Sequence, residues 1–399
     1  MTYAYPTAFS LWEDEERVAI ARVLASGQLT MAGEVEAFEA EFAAWHGRRH
    51  AIMVNSGSSA NLVAVAAIAA TRARELGGWV RQPLEHDRAT AIVPAIAWAT
   101  TYAPLAQHGV SLLLTDVDDT WNAPAPYEND VYASRIIVAC PVLGNPAHLA
   151  VWRAVANGTP GTYLVEDCCE SLGARDENGR LAGTFGDLST FSFFYSHQLS
   201  AIEGGMVLTD DDQIARLCRM LRNHGWTRGV DSPTRFEDEY DFRLMGYNLR
   251  SLELHAAVAR EQLRKLPRFI AARRANLDLF VELTRNLPVV HQRMVGQPSP
   301  FGLAFTVASS EVRTRLVTAL RASGVDCRLP TGGSFRQHVY AARWANQRTP
   351  AADRIHDTGI FLGNAPWDIA PLIEHAVRVM REVLFYHRYF SGGRWRNQS

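Results

Sequence analysis

The chain has 399 residues, 47% of them hydrophobic, and 40 basic against 42 acidic side chains leave a formal net charge of −2. This length is enough for a large domain plus a smaller one, with a core that needs no disulfide staples. The near-neutral balance without a basic run argues against nucleic acid as the main partner, and no apolar stretch reaches the roughly 18 residues of a membrane helix.

In chain order, 13–25 reads as an amphipathic helix ending at Gly27, and 35–45 as a second closing at Gly47. A short apolar strand, 50–54, runs into Asn-Ser-Gly-Ser-Ser (55–59) and then a long alanine-rich helix, 60 to about 75. Strands are predicted at 91–95, 111–115, 135–140, 163–166, 188–194 and 205–209, alternating with helical stretches. That alternation indicates an α/β fold with a mostly parallel sheet covered by helices on both faces. A helix at 211–223 and a loop around 231–247 follow. Next come a helix at 251–266 and, after Pro267, a further helix to about 287. From Phe301 the pattern changes to strand, helix, strand and a last helix, 370–386, which reads as a small α+β domain. The division expected is 1–250 for the large domain and 251–399 for the linking helices and small domain. The polar tail, 391–399, is expected to fray. The N-terminus lacks the layout of a signal peptide, and five scattered cysteines fit a reduced, cytoplasmic enzyme.

Four places carry candidate chemistry. Ser56, Gly57 and Ser58 join a strand to a helix N-terminus, where unpaired amides and the helix dipole favour an anion such as phosphate. Serine is also a common helix cap, so the turn alone leaves both readings open. Glu166 and Asp167 end an apolar strand, where open α/β sheets place ligands, although a bare acidic pair is more often a loop or cap. Trp98 follows another strand and is able to stack on a flat ring or to pack in the core. His197 has an imidazole whose ordinary pKa, about 6.5, suits a general base, although a lone histidine is more often a buried structural one.

These segments together resemble the DegT/DnrJ/StrS sugar aminotransferase family from end to end. The stretch Asn-Ser-Gly-Ser-Ser-Ala-Asn-Leu (55–62) is similar to its phosphate loop, and Thr-Phe-Ser-Phe-Phe-Tyr-Ser-His-Gln-Leu-Ser-Ala-Ile-Glu-Gly-Gly (190–205) to its cofactor-lysine segment. His197 stands where the family carries the lysine that tethers pyridoxal phosphate, and Lys265 is the only lysine in the chain. The resemblance implies an aspartate-aminotransferase-like fold of type I and the cofactor pyridoxal 5′-phosphate or pyridoxamine 5′-phosphate. It also implies Ser192 as a further phosphate ligand, Asp167 at the pyridine nitrogen, Glu170 near the 3-oxygen and Trp98 stacked on the ring. Asn248 is implied to reach the cofactor phosphate of the neighbouring subunit in a homodimer with shared active sites. Thr-Gly-Gly-Ser-Phe-Arg-Gln-His (331–338) resembles a substrate segment of sugar dehydratases, which assigns Arg336, along with Tyr195, to the substrate.

Histidine for lysine, Cys169 with Glu170, and tryptophan before small residues are similar to the subgroup that removes sugar hydroxyls. The activity implied is 3-deoxygenation of a 4-keto sugar on a nucleotide or nucleoside, in deoxysugar or antibiotic biosynthesis. His197 would be the base, and glutamate a possible amino donor. Two alternatives remain: an aminotransferase-like enzyme on a sugar or nucleoside intermediate, and a non-catalytic cofactor-binding partner of a true aminotransferase. The iron–sulfur subgroup needs clustered cysteines; here only Cys168 and Cys169 are neighbours, so no metal is expected. Gln198 and Ile202 depart from the pattern, the first standing where the dehydratases usually carry a second histidine and the second where glycine is common.

Overall fold

The computed structural model describes residues 3–75, 89–124, 134–230 and 235–390, so the tail at 391–399 and the start of the 231–247 loop lie outside the described residues. Seven short strands form the main sheet: β1 (His50–Val54), β2 (Thr90–Pro94), β3 (Ser111–Thr115), β4 (Ser134–Ala139), β5 (Tyr163–Asp167), β6 (Leu188–Ser192) and β7 (Gly205–Thr209). Their order is β1-β7-β6-β5-β4-β2-β3, and β7 alone runs antiparallel to its neighbours. Nearly every strand residue is buried, which explains the unbroken apolar runs.

Side chains still sort by strand period two. Ala51, Met53, Ile92, Ile137, Leu164 and Met206 face one core. Helices α1 (Asp14–Ser26), α2 (Gly33–His46) and α5 (Leu149–Asn157) lie on that side. Ile52, Val54, Ala91, Val93, Val165 and Val207 face the other core, under α3 (Gly57–Glu75), α4 (Ala99–Gln107) and α6 (Asp212–Arg222). This is the expected layered α/β arrangement.

The sequence predicts two helices around Pro267, yet α7 (Glu253–Thr284) is a single helix through it. Proline removes one amide donor and disfavours helix continuation. Here burial on both sides overrides that: Leu263, Leu266 and Ile270 enter the first core, while Leu277 and Phe280 enter a third. That third core is C-terminal. It joins a three-stranded antiparallel sheet, β8 (Val290–His291), β9 (Gly302–Thr306) and β10 (Gly359–Gly363), to α8 (Ser310–Ala322) and α10 (Ala370–Phe390). Tyr5 and Phe9, from the opposite chain end, are buried in it. A short helix not resolved in the sequence, α9 (Pro350–Thr358), leads into β10. A smaller cluster including Ile96, Leu143, Ile355 and Phe361 welds this unit to the main sheet's C-terminal edge. No helix among the described residues is long and apolar enough to cross a membrane.

Candidate active site

A cavity of about 510 Å³ opens at the C-terminal ends of the parallel strands, where open α/β sheets place their ligands. One wall comes from the large sheet; Thr7, Ala8, Phe301, Phe361 and the segment 328–332 supply the other. Ser56, Gly57, Ser58, Trp98, Asp167, Glu170, Ser192, Tyr195 and His197 all line it.

At one end lies the serine turn. Helix α3 begins at Gly57 rather than 60, because Ser56 Oγ accepts the Ser59 amide at 3.1 Å and caps the helix. The capping and anion-binding readings are therefore compatible. A Cβ at Gly57 would fall 2.6 Å from Ser192 Cβ and 2.9 Å from Cys169 Sγ, so only a bare backbone fits. A helix N-terminus, three serine hydroxyls and an unobstructed backbone meet there, a donor set that suits a phosphate.

Period two separates the acidic pair. Glu166 points to the α2 side and is fully buried, accepting the amides of Gly183, Phe185 and Gly186 and the Ser189 hydroxyl. Burial raises its pKa. It ties a loop to the sheet and does not touch the cavity. Asp167 points the other way, toward α3 and α4. Its Oδ2 accepts Asn61 Nδ2 at 2.9 Å and Thr101 Oγ1 at 2.6 Å, and its Oδ1 accepts the Cys169 amide at 3.2 Å. The Thr190 hydroxyl donates to Asn61 Oδ1 at 2.6 Å, which turns the Asn61 amide group toward Asp167. Asp167 also lines the cavity, where one cationic partner would complete its hydrogen bonds. Trp98, just before α4 and 56% exposed, presents a free ring face to the same space. Cradle, carboxylate and indole fit a phosphorylated pyridine cofactor.

His197 follows β6 in a turn fixed by its amide, which donates to Phe194 O at 2.9 Å. The ring meets Phe301 edge-on, centroids 4.9 Å apart, and Nδ1 is buried without a hydrogen bond among the described residues. Desolvation, then the charge of nearby Arg273, pushes its pKa down to about 3, so the imidazole is neutral at neutral pH. Arg273, on α7, is fully buried and donates to the carbonyls of Asn364, Phe301 and His197 at 2.6, 3.2 and 3.3 Å. Glu170 Oε2 accepts the Leu143 amide at 2.9 Å and the Thr331 hydroxyl at 3.2 Å. Burial raises its pKa to about 7, against those hydrogen bonds and with help from Asp167.

Gln198 is a brace. Its side-chain amide donates to the carbonyls of Glu170 at 2.6 Å and Ser299 at 3.0 Å, holding the acidic loop against the histidine turn. Ile202 has φ 71°, a left-handed value that a β-branched residue rarely adopts, which explains why glycine is common there. Two predicted residues lie outside the cavity. The guanidinium of Arg336 is tied to Asp353, Nε to Oδ2 at 2.8 Å and Nη2 to Oδ2 at 2.8 Å, and to Ala345 O at 2.6 Å. Asn248 is exposed, and its Oδ1 accepts Arg250 Nε at 3.1 Å.

The sequence reading missed Asn61, Thr101, Thr7, Arg328, Thr331 and Phe301. Asn61 sits inside the serine motif and was within reach. Thr101 closely follows Trp98 and Thr331 opens the 331–338 segment, whereas Thr7, Arg328 and Phe301 are brought in by tertiary contacts that no local pattern announces. Among the described residues, no group of three His, Cys, Asp or Glu side chains is arranged to hold a metal ion.

The profile of the DegT/DnrJ/EryC1/StrS aminotransferase family matches residues 11–370. The chain is 36% identical over 399 residues to a GDP-4-keto-6-deoxy-D-mannose 3-dehydratase of Escherichia coli O55:H7, covering 95% of this chain and 99% of that one. It is 32% identical to a dTDP-4-dehydro-2,6-dideoxy-D-glucose 3-dehydratase of Saccharopolyspora spinosa, covering 93% and 85%. A crystal structure of GDP-4-keto-6-deoxymannose-3-dehydratase with a trapped PLP–glutamate geminal diamine superposes with a TM-score of 0.85 at 34% identity, covering 94% of this chain and 100% of that one.

Proposed function

The chain belongs to the DegT/DnrJ/EryC1/StrS aminotransferase family, and on that premise we propose that it is a dehydratase that uses pyridoxal or pyridoxamine phosphate to remove the 3-hydroxyl of a 4-keto sugar carried on a nucleotide or nucleoside. The observation that carries this reading is a neutral imidazole, His197, in the cofactor-lysine's place on the cavity wall. No lysine among the cavity residues takes its place. Lys265, the only one in the chain, is held by Glu13, Glu15 and Glu16 at 3.0, 3.0 and 2.9 Å, away from the cavity.

When bound, pyridoxamine phosphate supplies the amine that joins the sugar ketone and the electron sink that lets the neighbouring hydroxyl leave. The chain's own residues do the rest. Ser56, Gly57, Ser58 and Ser192 would hold the phosphate, Trp98 would cover the ring, and Asp167 would keep the pyridine nitrogen protonated. Glu170, a neutral acid below about pH 7, would donate toward the cofactor's 3-oxygen. With Nδ1 buried, His197 would take the proton on Nε2; burial weakens it as a base, so its contribution rests on its position, for which about 10²–10⁴-fold is typical of a placed general base. Glutamate would serve as the amino donor, a role supported by the PLP–glutamate geminal diamine trapped in the related structure. We place the enzyme in the cytoplasm as a homodimer, with Asn248 reaching the neighbour's cofactor phosphate. The exposed Phe236, Tyr240, Phe242 and Met245 near Asn248 support a covered surface there.

The test is incubation with pyridoxamine phosphate, glutamate and candidate 4-keto sugars, followed by product mass and ammonia. Loss of the sugar's oxygen with ammonia release is expected. A stable amino sugar would overturn the reading in favour of an aminotransferase.

A further inference from the structure

The ligands of the proposed reaction all carry negative charge: a cofactor phosphate, a dicarboxylic amino donor and, where the carrier is a nucleotide, a diphosphate. Of the described residues lining the cavity, one carries a positive charge at neutral pH, and it is Arg328. The cofactor-phosphate end is built from neutral donors on the large-sheet wall. Arg328 stands on the other wall, where its backbone exchanges hydrogen bonds with Phe361, at 3.0 Å to Phe361 O and 2.8 Å from Phe361 N. That pairing fixes its Cα beside β10 and beside the Phe361–Phe301 ring stack (5.8 Å) that abuts His197.

The side chain itself is barely committed. It is 67% exposed, and its one ion pair is a long contact with Asp326 Oδ2 at 3.7 Å. That same oxygen already accepts the Thr7 hydroxyl at 2.8 Å. By contrast, Arg336 is tied to Asp353 and to the Ala345 carbonyl, and the terminal nitrogens of the fully buried Arg273 are taken by backbone carbonyls. A guanidinium fork with unused donors, facing a cavity that receives anions, matches carboxylate or phosphate oxygens two at a time.

We propose that Arg328 is the oxyanion clamp of the cavity, taking either the carboxylate of the amino donor or the diphosphate of the sugar carrier. This rests on the functional reading above, and binding measurements separate the two. The protein loaded with pyridoxal phosphate is titrated calorimetrically with glutarate, a dicarboxylate without an amine, and separately with guanosine diphosphate. Wild type, R328Q and R328K are compared, with retained cofactor measured after dialysis. A lost charge-assisted contact should weaken binding about 10- to 100-fold in R328Q, with partial recovery in R328K. The probe that weakens names the source, and weakening of both means the two share the clamp. Cofactor retention should not change. The proposal is overturned if both probes bind R328Q as tightly as wild type, if wild type binds neither, or if cofactor is lost in step with the probes. Should wild type fail to deoxygenate any sugar while a probe still depends on Arg328, the functional reading falls and the clamp stands.

Discussion

On the large-sheet wall of the cavity, Asp167 receives Asn61, Thr101 and the Cys169 amide, and Asn61 is itself oriented by Thr190. On the facing wall, Arg328 has one 3.7 Å partner and is two-thirds exposed. The first wall is a closely hydrogen-bonded network on short strands, able to hold one rigid ring in one pose. The second carries one long, uncommitted cationic side chain, suited to ligands that differ in shape and take turns. The proposed cycle, in which a sugar and an amino donor would enter the same cavity in turn, would use both kinds of wall.

The contrast breaks most severely within the sheet wall. Glu166→Ala would leave three buried amides and a hydroxyl without their acceptor, at an expected cost on the order of 3–5 kcal/mol in chemical unfolding. Asp167→Asn, one residue along, should unfold within about 1–2 kcal/mol of wild type yet lose cofactor on dialysis, because its role is at the ligand. If the two variants showed the same profile, the division between a structural and a ligand-facing carboxylate would fail.

A smaller effect is expected at Glu170, which joins the walls through Thr331. Its folded pKa, about 7, lies above the ordinary 4.5, so its contribution to stability is complete below about pH 4.5 and is lost as pH rises through 7. Glu170→Gln keeps an acceptor for Leu143 and Thr331 but cannot ionise. In cofactor-free protein, its stability relative to wild type should therefore rise by about 1–3 kcal/mol between pH 4.5 and 8. A pH-independent difference would mean that the carboxyl is not desolvated.

Much of the sheet wall was legible in the sequence, and little of the facing wall was. Ser56, Gly57, Asp167 and His197 lie at strand ends, where local pattern and chemistry coincide, and the resemblance put each in register. The α/β layering was equally legible, since strand and helix periods are local signals. Arg328, Thr7 and Phe301 come together only when three distant segments fold onto one sheet edge, and no spacing records that. Arg336 shows the converse, being chosen from a motif while its guanidinium is tied to Asp353. Pro267 misled for a related reason: local propensity said break, and burial in two cores said continue. Gln198, a departure on paper, is a brace between two loops.

In the proposed reaction a base, His197, replaces a tether. The direct measurement is a single turnover of pyridoxamine-phosphate-loaded wild type and His197→Asn with a 4-keto sugar substrate, following solvent-deuterium exchange and loss of the 3-hydroxyl by mass. The variant should retain cofactor and bind sugar, while elimination falls by about 10²–10⁴-fold. Elimination at the wild-type rate in His197→Asn would contradict it.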